Sequence, residues 1–288
     1  MKILYIKNQM HIKNNNALVN YKNTNLYIIE NINLLDTLDL TQFDCVYSPC
    51  IPLNVSKYPN TKFMFGPHFS VFPENNHMSA IMGKNTVYLQ PSNWARDVWK
   101  YNPMCSNIRI ETLPFGVDTA RFNEISPAEN KTNVFLYYKS RRPEELNLLL
   151  KFLEQRNINV RVFSYTSKYT EAEYLSYLQN SKYGIWLGRH ESQGFALEEA
   201  LSCNVPLFVW DVKSMNQEYG YNYSDIPATV IPYWDNRCGE YFYNENELET
   251  VFTRFLAKLD SYKPREYVLE NLSMDVCENR LNNIITNI

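Results

Sequence analysis

Arg189-His-Glu-Ser-Gln-Gly-Phe-Ala-Leu-Glu-Glu-Ala200 sets two carboxylates, Glu191 and Glu199, eight positions apart with Gly194 between them. An apolar run, Tyr183-Gly-Ile-Trp-Leu-Gly188, precedes the segment, and a second, Val205-Pro-Leu-Phe-Val-Trp-Asp211, follows it. Strand, glycine turn, helix and strand in that order form a phosphate-binding arrangement. The first turn of such a helix presents N–H groups with no intrahelical acceptor, together with the positive end of the dipole. A Glu in the same turn repels phosphate but accepts hydrogen bonds from hydroxyl groups. The two together suit a sugar joined to a phosphate.

The rest of the chain accommodates that reading. Its 288 residues are enough for two domains, each with its own core. Hydrophobic residues make up 45% and charged residues 20%, the composition of an ordinary globular protein. A formal charge of −3 and a pI near 5.9 argue against nucleic acid as the main partner, since a phosphate backbone calls for a basic surface. The cysteines at 45, 50, 105, 203, 238 and 277 form no CxxC pair and no ligand cluster with histidine. Reduced thiols in a cytoplasmic setting are expected. After Met1–Ile6 the chain turns polar at once, so no signal-peptide core or membrane-length apolar run is read.

Working outward, short apolar runs at Lys2–Ile6, Leu26–Ile29, Phe43–Tyr47, Lys62–Phe65, Thr86–Leu89 and Ile108–Leu113 read as buried strands, with a helix over 93–100. The polar stretch 123–132 reads as a linker. Beyond it the pattern restarts: strand 133–138, helix 143–156, strand 159–163, helix 170–180, strand 183–187, a helix from Gly194 and strand 206–210. Residues 246–259 and 263–286 read as helical. Strands alternating with helices at this spacing imply right-handed βαβ units and a parallel sheet. Such sheets bind ligands at the carboxyl ends of their strands.

The segment 189–200 resembles the donor-binding motif of GT-B glycosyltransferases, above all the retaining family 4 type. Three further stretches resemble that family in the same order. Val87-Tyr-Leu-Gln-Pro-Ser-Asn-Trp94 is similar to its strand followed by S-x-W. Leu113-Pro-Phe-Gly-Val-Asp-Thr-Ala-Arg-Phe122 is similar to its PNGVDxxxF segment, and Cys203-Asn-Val-Pro-Leu-Phe-Val-Trp-Asp211 to its CGVPVVxxD strand. The resemblance covers about residues 60–215.

It implies that Glu191 holds hydroxyls of a donor sugar, that Glu199 takes the ribose hydroxyls of a nucleotide, and that the Gly194 and Phe195 N–H groups meet the diphosphate. Glu199 is preferred to Glu198 on this spacing alone, because helical geometry leaves open which of the two faces a ligand. The bland alternative is a pair of solvated carboxylates at a helix start, where the dipole also suits them.

Lys139-Ser-Arg-Arg142 follows a predicted strand and precedes a helix opening on Pro143. Cations there can neutralise a diphosphate and stabilise its departure. Lys139 and Arg142 are the chosen candidates, with Arg141 next; a solvated charge run is the competing reading. The family usually has a glycine before this Arg and Lys, where this chain has Tyr137-Tyr138.

His68 follows the strand Phe63-Met-Phe-Gly66, and the resemblance brings it to the donor sugar and the reacting centre. A packed or surface histidine is the alternative. Tyr165, after strand 159–163, is a candidate for stacking on the nucleobase. No D-x-D, Walker loop or G-x-G-x-x-G occurs. The loop after the first strand, Lys7–Asn14, also lacks the glycines that retaining GT-B enzymes often carry there.

The expectation is an α/β protein of GT-B architecture, two Rossmann-like domains facing across a cleft. The domains are placed at 1–125, the acceptor side, and 126–270, the nucleotide-sugar-binding side, and a C-terminal helix, 271–288, packs back on the first. The implied activity is transfer of a sugar from a nucleoside-diphosphate-sugar to an acceptor hydroxyl, with retention. No metal and no cofactor beyond the nucleotide-sugar co-substrate are expected, and neither a nucleic-acid partner nor membrane association. A sugar-nucleotide epimerase, a non-catalytic nucleotide-sugar-binding module and a structural subunit with a vestigial cleft stay open as alternatives.

Overall fold

A strand buried on both faces needs an almost unbroken apolar run, and the first strand, β1 (Lys2–Ile6), is buried from Ile3 to Ile6. The structure, a computed structural model, describes residues 1–167 and 169–288, with Ala128 by its backbone alone. Contacts divide the chain into two units, one of Met1–Gly116 with Leu272–Ile288 and one of Val117–Asn271.

In the first unit β1 is followed by α1 (Ile12–Val19), β2 (Asn25–Ile29), β3 (Cys45–Ser48), β4 (Phe63–Phe65), α2 (Asn75–Ile81), β5 (Thr86–Gln90), α3 (Asn93–Lys100) and β6 (Ile110–Thr112). The strands form one six-stranded parallel sheet in the order β2-β1-β3-β4-β5-β6. Leu4, Ile6, Val46, Phe63 and Phe65 pack with Tyr88 and Trp99 into its core, where the Tyr88 and Trp99 rings stack at 4.4 Å.

All six expected strands are present; β1 agrees at both ends, and no end of the others shifts by more than two residues. Helices α1 and α2 were not anticipated. The sequence of α1, IKNNNALV, has three successive asparagines, poor helix formers. It is held by burial of Asn14, Ala17 and Leu18 rather than by propensity.

The expected helix over 263–286 is two helices, Pro264–Asn271 and Met274–Thr286, interrupted where the units divide. Extended Ser273 starts the second of them, which belongs to the first unit. Its Glu278 is 1% exposed and accepts hydrogen bonds from the Lys22 N–H (3.1 Å), the Asn23 N–H (2.6 Å) and the Thr24 hydroxyl (2.8 Å).

The second unit contains β7 (Asn133–Tyr138), α4 (Pro143–Glu154), β8 (Arg161–Ser164), α5 (Glu171–Gln179), β9 (Ser181–Leu187), α6 (Phe195–Ser202), β10 (Leu207–Trp210), β11 (Gly239–Phe242), α7 (Leu248–Ala257) and α8 (Pro264–Asn271). Its five parallel strands run in the order β11-β10-β9-β7-β8. The chain leaves β7 outward to β8, then returns across it to β9 and continues outward the other way. The carboxyl ends of β7 and β9 therefore flank a topological switch point, where open α/β sheets bind ligands.

Trp186 and Trp210 lie in the core, as their strand positions imply. The stretch 123–132 is not an open linker. Lys131 is buried and donates to Glu124 at 2.9 Å and to the Cys203 carbonyl at 3.1 Å, which ties the stretch to the second unit. The closing helix Met274–Thr286 is α9.

Candidate functional site

Two residues leave the switch point with opposite charge. Lys139 follows β7, and its N–H donates to the Leu187 carbonyl at the end of β9; the Arg189 N–H donates back to the Lys139 carbonyl. That exchange extends the pairing past both strands and brings the Lys139 ammonium to 2.7 Å from Glu191 Oε1. Both side chains are little exposed, at 11% and 13%.

The Tyr165 ring, on the turn after β8, covers the ammonium with its centroid at 4.6 Å from Nζ. Tyr165 itself is exposed, and its N–H is anchored on the Tyr138 carbonyl.

Glu191 is positioned from beneath. Its N–H donates to the Thr229 carbonyl, and Thr229 is fixed by Asp211 at the end of β10. Asp211 accepts from the Thr229 hydroxyl at 2.9 Å, the Val212 N–H at 2.8 Å and the Val230 N–H at 2.7 Å. Burial raises the Asp211 pKa, and these three donors oppose the shift.

Gly194 then turns the chain into α6 with φ +92 and ψ 48, the left-handed region a Cβ disfavours. A Cβ there would meet Glu191 Cβ at 3.4 Å, an ordinary van der Waals contact, so it is the backbone conformation that calls for glycine. The Leu197 and Glu198 N–H groups donate to the Gly194 carbonyl and begin the helix. The anion-favouring end of α6 therefore starts three residues after Glu191.

Helix α6 is buried throughout from Leu197 to Ser202, not amphipathic with two carboxylates on its outer side. Glu198 is completely buried and accepts from Gln193 Nε2 at 3.0 Å through Oε2, while its Oε1 has no hydrogen-bond partner among the described residues. Burial holds its carboxyl protonated, far above the usual range; the Gln193 bond opposes this, and the charges of Glu199 and Glu191 add to it. Glu198 is thus spent inside the fold. Glu199, 5% exposed, is the other buried carboxylate of the helix.

The three cations after β7 have different roles. Ser140, in the left-handed region at φ +47, reverses the chain between Lys139 and Arg141. Arg141 is 1% exposed. Its guanidinium donates to the Gly188 (3.1 Å) and Trp210 (3.0 Å) carbonyls and pairs with Glu145 (2.6 Å), clamping three strand ends to α4. Arg142 is exposed and begins α4, its N–H bonded to Glu145 Oε2 at 3.0 Å.

Sequence reasoning missed a second charged group. Glu218, on the segment after β10, is 5% exposed; it lies 3.2 Å from Arg189 Nε and 3.5 Å from His190 Nε2. Burial raises its pKa, against the opposing charges of Arg189 and Lys139. Burial also lowers His190 to about 4, with Arg189 and Lys139 adding to the shift, so its imidazole is neutral at pH 7. No motif or periodicity marks Glu218. Its only signal in the sequence is a position downstream of a strand end on the correct edge of the sheet.

His68 belongs to the first unit, whereas Lys139 and Glu191 belong to the second. It follows β4 and a cis Gly66–Pro67 peptide. Its N–H donates to the Pro49 carbonyl at 3.0 Å, and Nε2 lies 3.1 Å from Asn14 Nδ2. Burial, and secondarily the charge of His11, lower it to about 4.

The two parallel α/β sheets have counterparts among solved structures. The N-terminal domain of a Candida albicans trehalose-6-phosphate phosphatase superposes with a TM-score of 0.58 at 11% identity, covering 99% of this chain and 96% of that one. The lipopolysaccharide outer core galactosyltransferase WaaB, in its apo form, gives 0.55 at 14% identity with 100% of both chains covered. A sucrose-phosphate synthase from Thermosynechococcus elongatus gives 0.53 at 9% identity, over 85% of this chain and 74% of that one. This is the GT-B fold. No family model and no curated protein matches the sequence. At these identities the GT-B likeness is one of architecture, and function rests on the site.

Proposed function

We propose that the second unit binds a nucleoside-diphosphate-sugar and that the protein is a glycosyltransferase. The observation that supports this best is the Lys139–Glu191 pair, 2.7 Å apart at the switch point and directly before the Gly194 start of α6. An ammonium and a helix N-terminus suit a diphosphate, and an adjoining carboxylate suits sugar hydroxyls.

In this reading the diphosphate takes Lys139 from Glu191 on binding, and Glu191 then orients the sugar. Glu199 receives the ribose hydroxyls, the Gly194 and Phe195 N–H groups meet the diphosphate, and Tyr165 stacks on the base. Arg142, three residues after Lys139 in sequence, is assigned as an auxiliary cation, and His68 is assigned to the donor sugar.

The bond from the anomeric carbon to the phosphate oxygen breaks with its electron pair going to the diphosphate. The acceptor oxygen bonds to that carbon from the same face, which retains configuration. The acceptor's proton passes to the departing phosphate, so no separate enzymic base is required. Positive charge from Lys139 and the first turn of α6 stabilises the leaving group, and the step is proposed to need no metal.

The test is release of free nucleoside diphosphate from UDP-, GDP- and other nucleotide-sugars in EDTA. Release by wild type that disappears in Glu191→Ala and Lys139→Ala supports the reading. If no nucleotide-sugar binds at all, the donor site is misassigned. Saturable binding without turnover under any acceptor would favour a binding module instead.

A further inference from the structure

The segment after β10 carries three tyrosines in five positions, Tyr219-Gly-Tyr-Asn-Tyr223, which no part of the donor reading uses. Tyr219 and Tyr221 are 54% and 59% exposed, so both present ring surface to solvent. Tyr221 and Tyr223 lie parallel, with centroids 5.7 Å apart and an interplanar angle of 8°. The Tyr223 ring also meets His190 edge to face at 5.7 Å.

The segment is tethered to the site rather than loose. The Tyr219 N–H donates to the Ser140 carbonyl at 2.9 Å, one residue beyond Lys139, and Glu218 pairs with Arg189.

Sheet order gives this aromatic group a direction. Along β10-β9-β7-β8 the Lys139–Glu191 pair stands at the middle two strands. Tyr165 follows β8 on one side, and the tyrosine segment follows β10 on the other. In the proposed donor reading, with the base toward Tyr165 and the sugar at Glu191, the tyrosine segment stands beyond the sugar end of the donor.

A pyranose presents a face of C–H bonds, which suits the electron-rich face of a tyrosine, and a rim of hydroxyls, which suits Arg189 and Asn222. We infer that Tyr219, Tyr221 and Tyr223 form a saccharide-binding subsite and that the acceptor is a glycan. The acceptor role rests on the proposed donor reading, whereas saccharide binding at the tyrosines does not.

The test applies fluorescently labelled full-length protein to an array of immobilised glycans, with nucleoside diphosphate binding measured separately by calorimetry. Wild type is expected to retain a defined set of glycans. Tyr221→Ala should weaken that binding about tenfold, and Tyr221→Phe should restore it. Nucleoside diphosphate affinity and melting temperature should be unchanged in both variants, because the ring is exposed.

Glycan binding that persists in Tyr221→Ala, or no glycan binding by wild type, overturns the subsite. Glycan binding with no nucleoside diphosphate binding upholds the subsite and sinks the donor reading alone.

Discussion

Replacing Glu191 with Gln should make the protein less stable and yet a better binder of free nucleoside diphosphate. At 2.7 Å the attraction between Lys139 and Glu191 is about 6 kcal/mol gross at an effective dielectric of ~20. Desolvation of both groups cancels most of it. Removing one partner of a fully buried pair costs about 3–5 kcal/mol. Here the groups retain 11% and 13% exposure, and Lys139 keeps the Tyr165 ring at 4.6 Å. The expected loss is therefore about 2 kcal/mol, or roughly 4–8 °C in the melting of a domain of about 150 residues.

Binding moves the other way. A carboxylate ~5 Å from an incoming phosphate charge opposes it by about 3 kcal/mol before screening. Relief of even half of that raises diphosphate affinity about tenfold. The gain should shrink as salt is added.

Calorimetric titration of UDP and GDP into wild type, Glu191→Gln and Lys139→Met, together with thermal melts, checks both signs. Sugar transfer should disappear in Glu191→Gln despite the tighter product binding. If Glu191→Gln melts with wild type and binds diphosphate no more tightly, then Glu191 and Lys139 do not compete for one position, and the electrostatic reasoning fails.

His68 gives a pH prediction with a definite sign. Its folded pKa of about 4 lies below the ordinary 6.5, so its neutral form stabilises the first unit above pH 6.5, and that contribution is lost as pH falls through 6.5 toward 4. The melting temperature should therefore drop across that window, and His68→Asn should flatten the slope; an imidazole that titrates near 6.5 by NMR would contradict this. Arg141→Met should lower stability by about 3 kcal/mol, because Glu145 and two strand-end carbonyls lose a buried donor. If that variant keeps its fold but loses only diphosphate affinity, Arg141 is a site cation after all. Glu278→Ala should cost about 2–3 kcal/mol by stranding the Lys22, Asn23 and Thr24 donors. Proteolysis should then clip the Met274–Thr286 helix first, and a protease pattern identical to wild type would refute its role as a latch.

The strands were legible because strands buried on both faces must be written as apolar runs, and Phe135, Leu136, Ile185 and Val209 obey that rule. Glu191 and Gly194 were legible because a tight turn between strand and helix restricts which residues can occupy it. Helix α1 was not, because three asparagines hide a helix that only the burial of Ala17 and Leu18 sustains. In the run after β7, both Lys139 and Arg141 read in sequence as candidate site cations, Arg141 ranked after Arg142. The left-handed turn at Ser140 sends one to Glu191 and the other into the core. Sequence alone left open which of Glu198 and Glu199 faces a ligand, with Glu199 preferred on spacing; both are buried on a helix enclosed from Leu197 to Ser202.

Local covalent chemistry decided where the chain could turn and which runs had to be hidden from water, so element order, parallel-sheet class and the E-x7-E turn were set in the sequence. Which side chains meet was not, because that depends on strand order, which is a property of the closed sheet. Only the crossing from β8 back over β7 to β9 brings Lys139 to Glu191. Only the path of the segment after β10 brings Glu218 and the three tyrosines to the same edge. Those contacts span about 30 to 50 residues of chain, a distance over which no periodicity or motif carries information.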